Sequence, residues 1–127
     1  MQKHPKTVLI VEDEASLRRA LREKFSHEQF EVLEAANGAD GLAVALREHP
    51  DLILLDIIMP RMDGIEMARQ LRKDAWGKHV SIIILSNLSD TKQIQAAMEN
   101  DVFEYFVKTD TTIESVSEKA KQLLGLN

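Results

Sequence analysis

The chain has 127 residues, 44% hydrophobic and 29% charged, with a net charge of −5 and no cysteine. That is the size of one domain and the composition of a folded chain, and it excludes a disulfide scaffold, a cysteine nucleophile and a thiolate metal site. No apolar run reaches the roughly 20 residues of a membrane span, no run of Lys and Arg supplies a nucleic-acid footprint, and residues 1–6 lack an apolar signal core, so a cytoplasmic location is expected.

In chain order, five apolar runs alternate with five stretches of helical period. Residues 7–11 are nearly continuous Thr, Val, Leu and Ile, as in a strand buried on both faces. Leu17, Ala20, Leu21 and Phe25 then fall on one helical face. Residues 30–35 alternate more, as an edge strand does, and Leu42, Ala45 and Leu46 resume the helical period. Residues 51–55 form a third apolar run, before a helix with Ile65, Ala68 and Leu71 on one face. Residues 80–85 form a fourth run, before a helix carrying Ile94, Ala97 and Met98. Residues 102–107 precede a last helix with Ile113, Val116, Ala120 and Leu123 on its stripe. Thr111 and Glu114 have the spacing of a capping box at its start, and Gly125 is its stop signal. Strand and helix alternating in this way predict an α/β fold, an open parallel sheet with helices on both faces. Residues 1–127 are expected to form a single domain with no output domain.

In such sheets ligands bind beyond the carboxyl ends of the strands. Glu12 and Asp13 follow the first strand, Asp56 the third, Ser86 the fourth and Lys108 the fifth. Singly these are ordinary caps, turn residues and solvated charges. Together they would crowd three carboxylates at one sheet edge, where like charges repel. A hard divalent cation removes the conflict, since Mg²⁺ takes carboxylate and phosphate oxygens. A carboxylate nucleophile can then form an acyl phosphate, with Mg²⁺, Lys108 and the Ser86 hydroxyl each taking one equatorial oxygen.

The ordered set Glu12-Asp13, Asp56, Ser86 and Lys108 resembles the receiver domain of two-component response regulators. So do the strings from Val11 to Glu14 and from Asp56 to Gly64, and the likeness covers essentially the whole chain. The resemblance implies a five-stranded parallel sheet of flavodoxin-like order 2-1-3-4-5. It implies Asp56 as phosphoacceptor, with Glu12, Asp13, Asp56 and the backbone carbonyl of Ile58 holding Mg²⁺ (or Mn²⁺). Lys108 would pair with the phosphoryl group, and Ser86 and Tyr105 would move together and alter the surface of the fourth helix, fifth strand and fifth helix. The donor would be a phosphohistidine on a sensor histidine kinase or a histidine phosphotransfer protein, and the output a changed affinity for a downstream protein. The chain would be a switch rather than an enzyme, either a monomer or a weak phosphorylation-linked dimer, with no nucleic-acid or membrane partner.

Two positions depart from the family pattern. Thr109 follows Lys108 in place of a proline, which favours a trans peptide there. Asn87 stands where the family has a small residue and would narrow access to Asp56. Ile58 and Leu88, two residues beyond Asp56 and Ser86, offer no group to orient water, so slow self-dephosphorylation is expected. Three other functions make different demands of these residues. A degenerate receiver would bind partners without phosphorylation. An aspartyl-phosphate phosphatase would need an acid at position 58. A flavodoxin-like nucleotide site would need a phosphate loop where Glu12, Asp13 and Glu14 stand. His4, His27, His49 and His79 lack ligand spacing and read as surface residues. Trp76 reads as a packing anchor, and Met59, Met62 and Met67 as core filling.

Overall fold

The computed structural model describes residues 5–87 and 91–126. The strands are β1 (Thr7–Val11), β2 (Glu31–Ala35), β3 (Leu52–Leu55), β4 (Ser81–Ser86) and β5 (Glu104–Val107). The helices are α1 (Ala15–His27), α2 (Gly38–Glu48), α3 (Gly64–Arg72), α4 (Thr91–Met98) and α5 (Ile113–Leu123). All strand pairs are parallel, in the order β2-β1-β3-β4-β5. The order expected from the resemblance is therefore the one found.

Strand residues alternate between two cores, as the period of two requires. Leu9, Val11, Ile53, Leu55, Ile82 and Ile84 face α2, α3 and α4 through Ala45, Met67, Ala68, Leu71 and Ala97. Val8, Ile10, Leu52, Leu54, Ile83 and Leu85 face α1 and α5 through Leu21, Phe25, Val116 and Ala120. Burial on both sides explains the unbroken aliphatic runs of β1, β3 and β4. β2 lies at an edge, with Glu31 and Glu34 exposed.

Several local expectations need correction. The helix start lies one residue later: Thr112, not Thr111, caps α5, its Oγ1 accepting from Ser115 N at 3.0 Å. A 3₁₀ turn, Lys108–Asp110, intervenes after β5 and moves the helix start along. Glu114 pairs instead with Lys24 of α1. Gly125 does end α5, with φ 73, Gly125 N–H bonding Gln122 O and Leu126 N–H bonding Lys121 O. Leu46 and Met98, expected on buried faces, are 39% and 43% exposed. Met59, Met62 and Met67 fill the first core as expected, and Trp76 packs against it while stacking on exposed His49. His27 and His79 are also exposed; His4 and Leu88 lie outside the described residues.

Candidate functional site

The carboxyl ends of β1 and β3 lie side by side, with Val11 opposite Leu55 and Asp56 N–H donating to Val11 O at 3.1 Å. That register sets Glu12 and Asp56 next to each other. Glu12 and Asp56 are buried and Asp13 is exposed, and an oxygen from each lies within 4.8 Å of the others. A set of three close hard oxygen donors, one open to solvent, fits a Mg²⁺ ion that retains waters.

Each buried carboxylate is oriented through both oxygens. Asp56 Oδ1 accepts from Ile57 N at 2.7 Å, and Oδ2 from Lys108 Nζ at 3.0 Å. Glu12 Oε2 accepts from Glu14 N at 3.0 Å, and Oε1 lies 2.9 Å from Lys108 Nζ. Burial pushes the Glu12 carboxyl up to about 7, with the Asp56 charge adding, while Lys108 and Glu14 N–H pull the other way. Burial pulls the Lys108 ammonium down, but the bonds to Glu12 and Asp56 outweigh it and the net shift is upward. The Lys108–Thr109 peptide is trans, and Lys108 reaches Asp56 from the 3₁₀ turn.

Ser86 ends β4 on the face of Ile82 and Ile84. Tyr105 lies opposite Ile84 and therefore diagonal to Ser86 on the same face. Ser86 Oγ is buried and has no partner of full hydrogen-bonding geometry among the described residues, while the Tyr105 phenol lies near enough to feel it. Burial pushes that phenol up, Asp56 adds to the shift, and the Ser86 hydroxyl opposes it. Asn87 is exposed at the rim, and the Ile58 side chain is 62% exposed.

Three further residues border the site. Glu14 lies 3.8 Å from Lys108 Nζ through Oε1, Arg18 Nη1 donates to Glu12 O at 2.7 Å, and Gly64 packs on Asp56. A Cβ on Gly64 would stand 2.1 Å from Asp56 O, so only glycine lets α3 start there. Gly64 sits in the string that carries the resemblance, but a backbone approach of this kind is not visible in a sequence.

Comparison with known proteins places the fold in a family. The family model described as the response regulator receiver domain matches residues 8–118. Sporulation initiation phosphotransferase F of Bacillus subtilis (strain 168) is 32% identical over 119 residues, covering 94% of each chain. A probable transcriptional regulator, ycf27, of Porphyridium aerugineum is 39% identical over 101 residues, 80% of this chain and 41% of that protein. This chain thus spans about two fifths of the length of the ycf27 relatives. A DNA-binding response regulator of the LuxR family from Staphylococcus aureus superposes with TM-score 0.84 at 30% identity, over 93% of this chain and 98% of that one. A CheY-like receiver domain protein from Methanospirillum hungatei JF-1 shares the fold with TM-score 0.89 at 24% identity, over 96% and 95%. With this match over most of its length, around a carboxylate cluster at the carboxyl edge of the sheet, the chain belongs to the response regulator receiver domain family.

Proposed function

We propose that this receiver domain is a phosphoacceptor switch in which Asp56 takes a phosphoryl group from a phosphohistidine. The observation that carries the reading is Lys108 Nζ, 3.0 Å from Asp56 Oδ2 and 2.9 Å from Glu12 Oε1. One cation thus serves the candidate nucleophile and a candidate metal ligand. An Asp56 carboxylate oxygen attacks phosphorus, the O–P bond forms and the P–N bond to imidazole breaks. The departing imidazole nitrogen takes up a proton. Lys108 steadies the negative charge on the phosphoryl oxygens, as positioning and charge neutralisation dominate such transfers.

Receiver domains bind Mg²⁺ at an acidic pocket, and Glu12, Asp13 and Asp56 would hold it here, with the Ile58 carbonyl as a further ligand. Mn²⁺ suits the same oxygens. When bound, the ion supplies charge neutralisation to the phosphoryl oxygens. The Ser86 hydroxyl, which has no hydrogen-bond partner among the described residues, is a donor for a new acceptor at Asp56. As it turns toward that acceptor, Tyr105 follows into the space it leaves. The surface of α4, β5 and α5 then differs between the two states, and a downstream partner reads the difference as a population shift. Phosphotransfer from sensor histidine kinases or histidine phosphotransfer proteins is the proposed input.

Phosphoramidate, whose P–N bond imitates phosphohistidine, tests this directly. Transfer to the wild type and none to Asp56→Asn supports the reading. Equal labelling of both, or of neither, counts against it. A receiver that binds partners without the reaction would give no labelling and partner binding indifferent to Asp56→Asn.

A further inference from the structure

The connection between β3 and α3 carries Asp56 at one end and is gripped at two points. Near Asp56, Gly64 N–H donates to Ile57 O at 2.8 Å. Further along, Gly38 N–H, at the start of α2, donates to Met62 O at 3.1 Å. A Cβ on Gly38 would stand 2.0 Å from that same oxygen. Real atoms do not approach so closely, so either α2 or the connection would have to move.

The gripped segment is strained. Met62 N–H donates to Pro60 O at 2.8 Å around Arg61, whose φ is 71°. This is the γ-turn of positive φ, the rare and strained form, at a residue other than glycine. Such backbone persists only where its surroundings over-determine it. The first turn of α2 is built to do so. Asn37 is buried, accepts from Asp40 N at 2.8 Å and donates to Asp40 Oδ2 at 3.0 Å. Asp40 Oδ1 in turn lies 3.5 Å from Arg61 Nη1. Both partners of that pair are exposed, so it contributes little. The backbone contact at Gly38 is the effective grip.

We propose that Gly38 is a positioning residue for the phosphoacceptor loop. Its lack of a side chain lets α2 hold the strained turn at Arg61, which fixes residues 57–59 beside Asp56 for cation binding. The inference rests on the reading of Asp56, Glu12 and Asp13 as a Mg²⁺ site.

The test compares Gly38→Ala with Gly77→Ala. A Cβ at Gly77 would meet Leu71 O at 2.2 Å, a similar clash in the α3–β4 connection. Mg²⁺ is titrated into each protein, followed by the backbone amide signals of residues 57–59, and thermal midpoints are recorded. Gly38→Ala is expected to weaken Mg²⁺ binding about tenfold, as loss of a supporting outer contact does. Gly77→Ala is expected to lower the thermal midpoint and leave the affinity unchanged. Equal affinities in wild type and Gly38→Ala, or equal losses in both variants, overturn the inference. No Mg²⁺ binding by the wild type overturns instead the reading on which it rests. Should Gly38→Ala fail to fold, Asn37→Ala loosens the first turn of α2 without a clash. It is expected to weaken Mg²⁺ binding severalfold, and an unchanged affinity overturns the inference.

Discussion

Lys108 Nζ lies 3.0 Å from Asp56 Oδ2, and the side chain of Lys108 is only 13% exposed. Two buried carboxylates depend on this ammonium, Asp56 and Glu12. Replacing Lys108 by Met therefore leaves Asp56 buried without its counter-ion and drives Glu12 toward its protonated form. Breaking a buried pair in this way costs about 3 kcal/mol. Denaturant unfolding at neutral pH is expected to show that loss, and added Mg²⁺ to restore part of it. Full stability of Lys108→Met without Mg²⁺ would mean that the lysine does not carry the carboxylates.

Glu12 gives the site a pH dependence. Its carboxyl is raised from 4.5 to about 7 in the folded protein, chiefly by burial. Between those values the folded state binds the proton more tightly than the unfolded chain does. The stabilising contribution is therefore complete below 4.5 and is lost as pH rises through about 7. Comparison of Glu12→Gln with wild type isolates it, the wild type losing ground to the variant as pH rises through this window. Mg²⁺ binding must displace the same proton, so affinity should fall by up to about tenfold per unit below pH 7. Affinity independent of pH would remove Glu12 from the ligand set.

Among the described residues Ser86 Oγ has no hydrogen-bond partner. Ser86→Ala should thus change stability by less than about 0.5 kcal/mol, because no hydrogen bond is lost. Its effect is expected in the phosphorylated state. The amide shifts that follow phosphorylation at Tyr105 should vanish in Ser86→Ala while Asp56 still takes the phosphoryl group. Unaltered shifts at Tyr105 would uncouple the two residues.

The position two residues past Asp56 is proposed to set the lifetime of a phosphoryl group there. Ile58 is apolar and 62% exposed, and has no group with which to orient a water. The phosphoryl group should outlast minutes without a phosphatase, and Ile58→Asn or Ile58→Glu should shorten that lifetime. A lifetime of seconds in the wild type would contradict this, as measured by the decay of bound phosphoryl label.

Arg72 is expected to matter to the fold and not to the chemistry. Its Nε donates to Asn100 O at 2.8 Å, and Nη1 to Gly77 O at 2.7 Å and Val80 O at 2.8 Å. Nη2 donates to Asp101 O at 2.9 Å, so one guanidinium ties the α3–β4 connection to the α4–β5 connection. Arg72→Met strands these carbonyls and should cost about 2–4 kcal/mol in urea unfolding. Phosphoryl uptake at low temperature should be unchanged.

The contrast between Lys108 and Arg72 shows what the sequence made legible. Lys108 directly follows an apolar run, and the general rule about strand ends was enough to bring it to Asp56. The aliphatic runs of β1, β3 and β4 likewise reported burial on both faces, and the alternation of β2 reported an edge. Arg72, Gly38 and Gly64 act on backbone atoms far away in sequence, and no spacing encodes such a contact. The cap of α5 was misplaced for a related reason, since the 3₁₀ turn at Lys108 is too short to leave a periodic signal. Leu46 and Met98 keep the helical period yet are exposed, because period locates a stripe but not its width.

Asp56 is proposed to take a phosphoryl group in a Mg²⁺-dependent reaction. The most direct measurement is the intact mass of the protein after incubation with a small acyl phosphate, with and without Mg²⁺, beside Asp56→Asn. A gain of one phosphoryl mass that requires both Mg²⁺ and Asp56 is expected. A gain that persists in Asp56→Asn, or that ignores Mg²⁺, would contradict the claim.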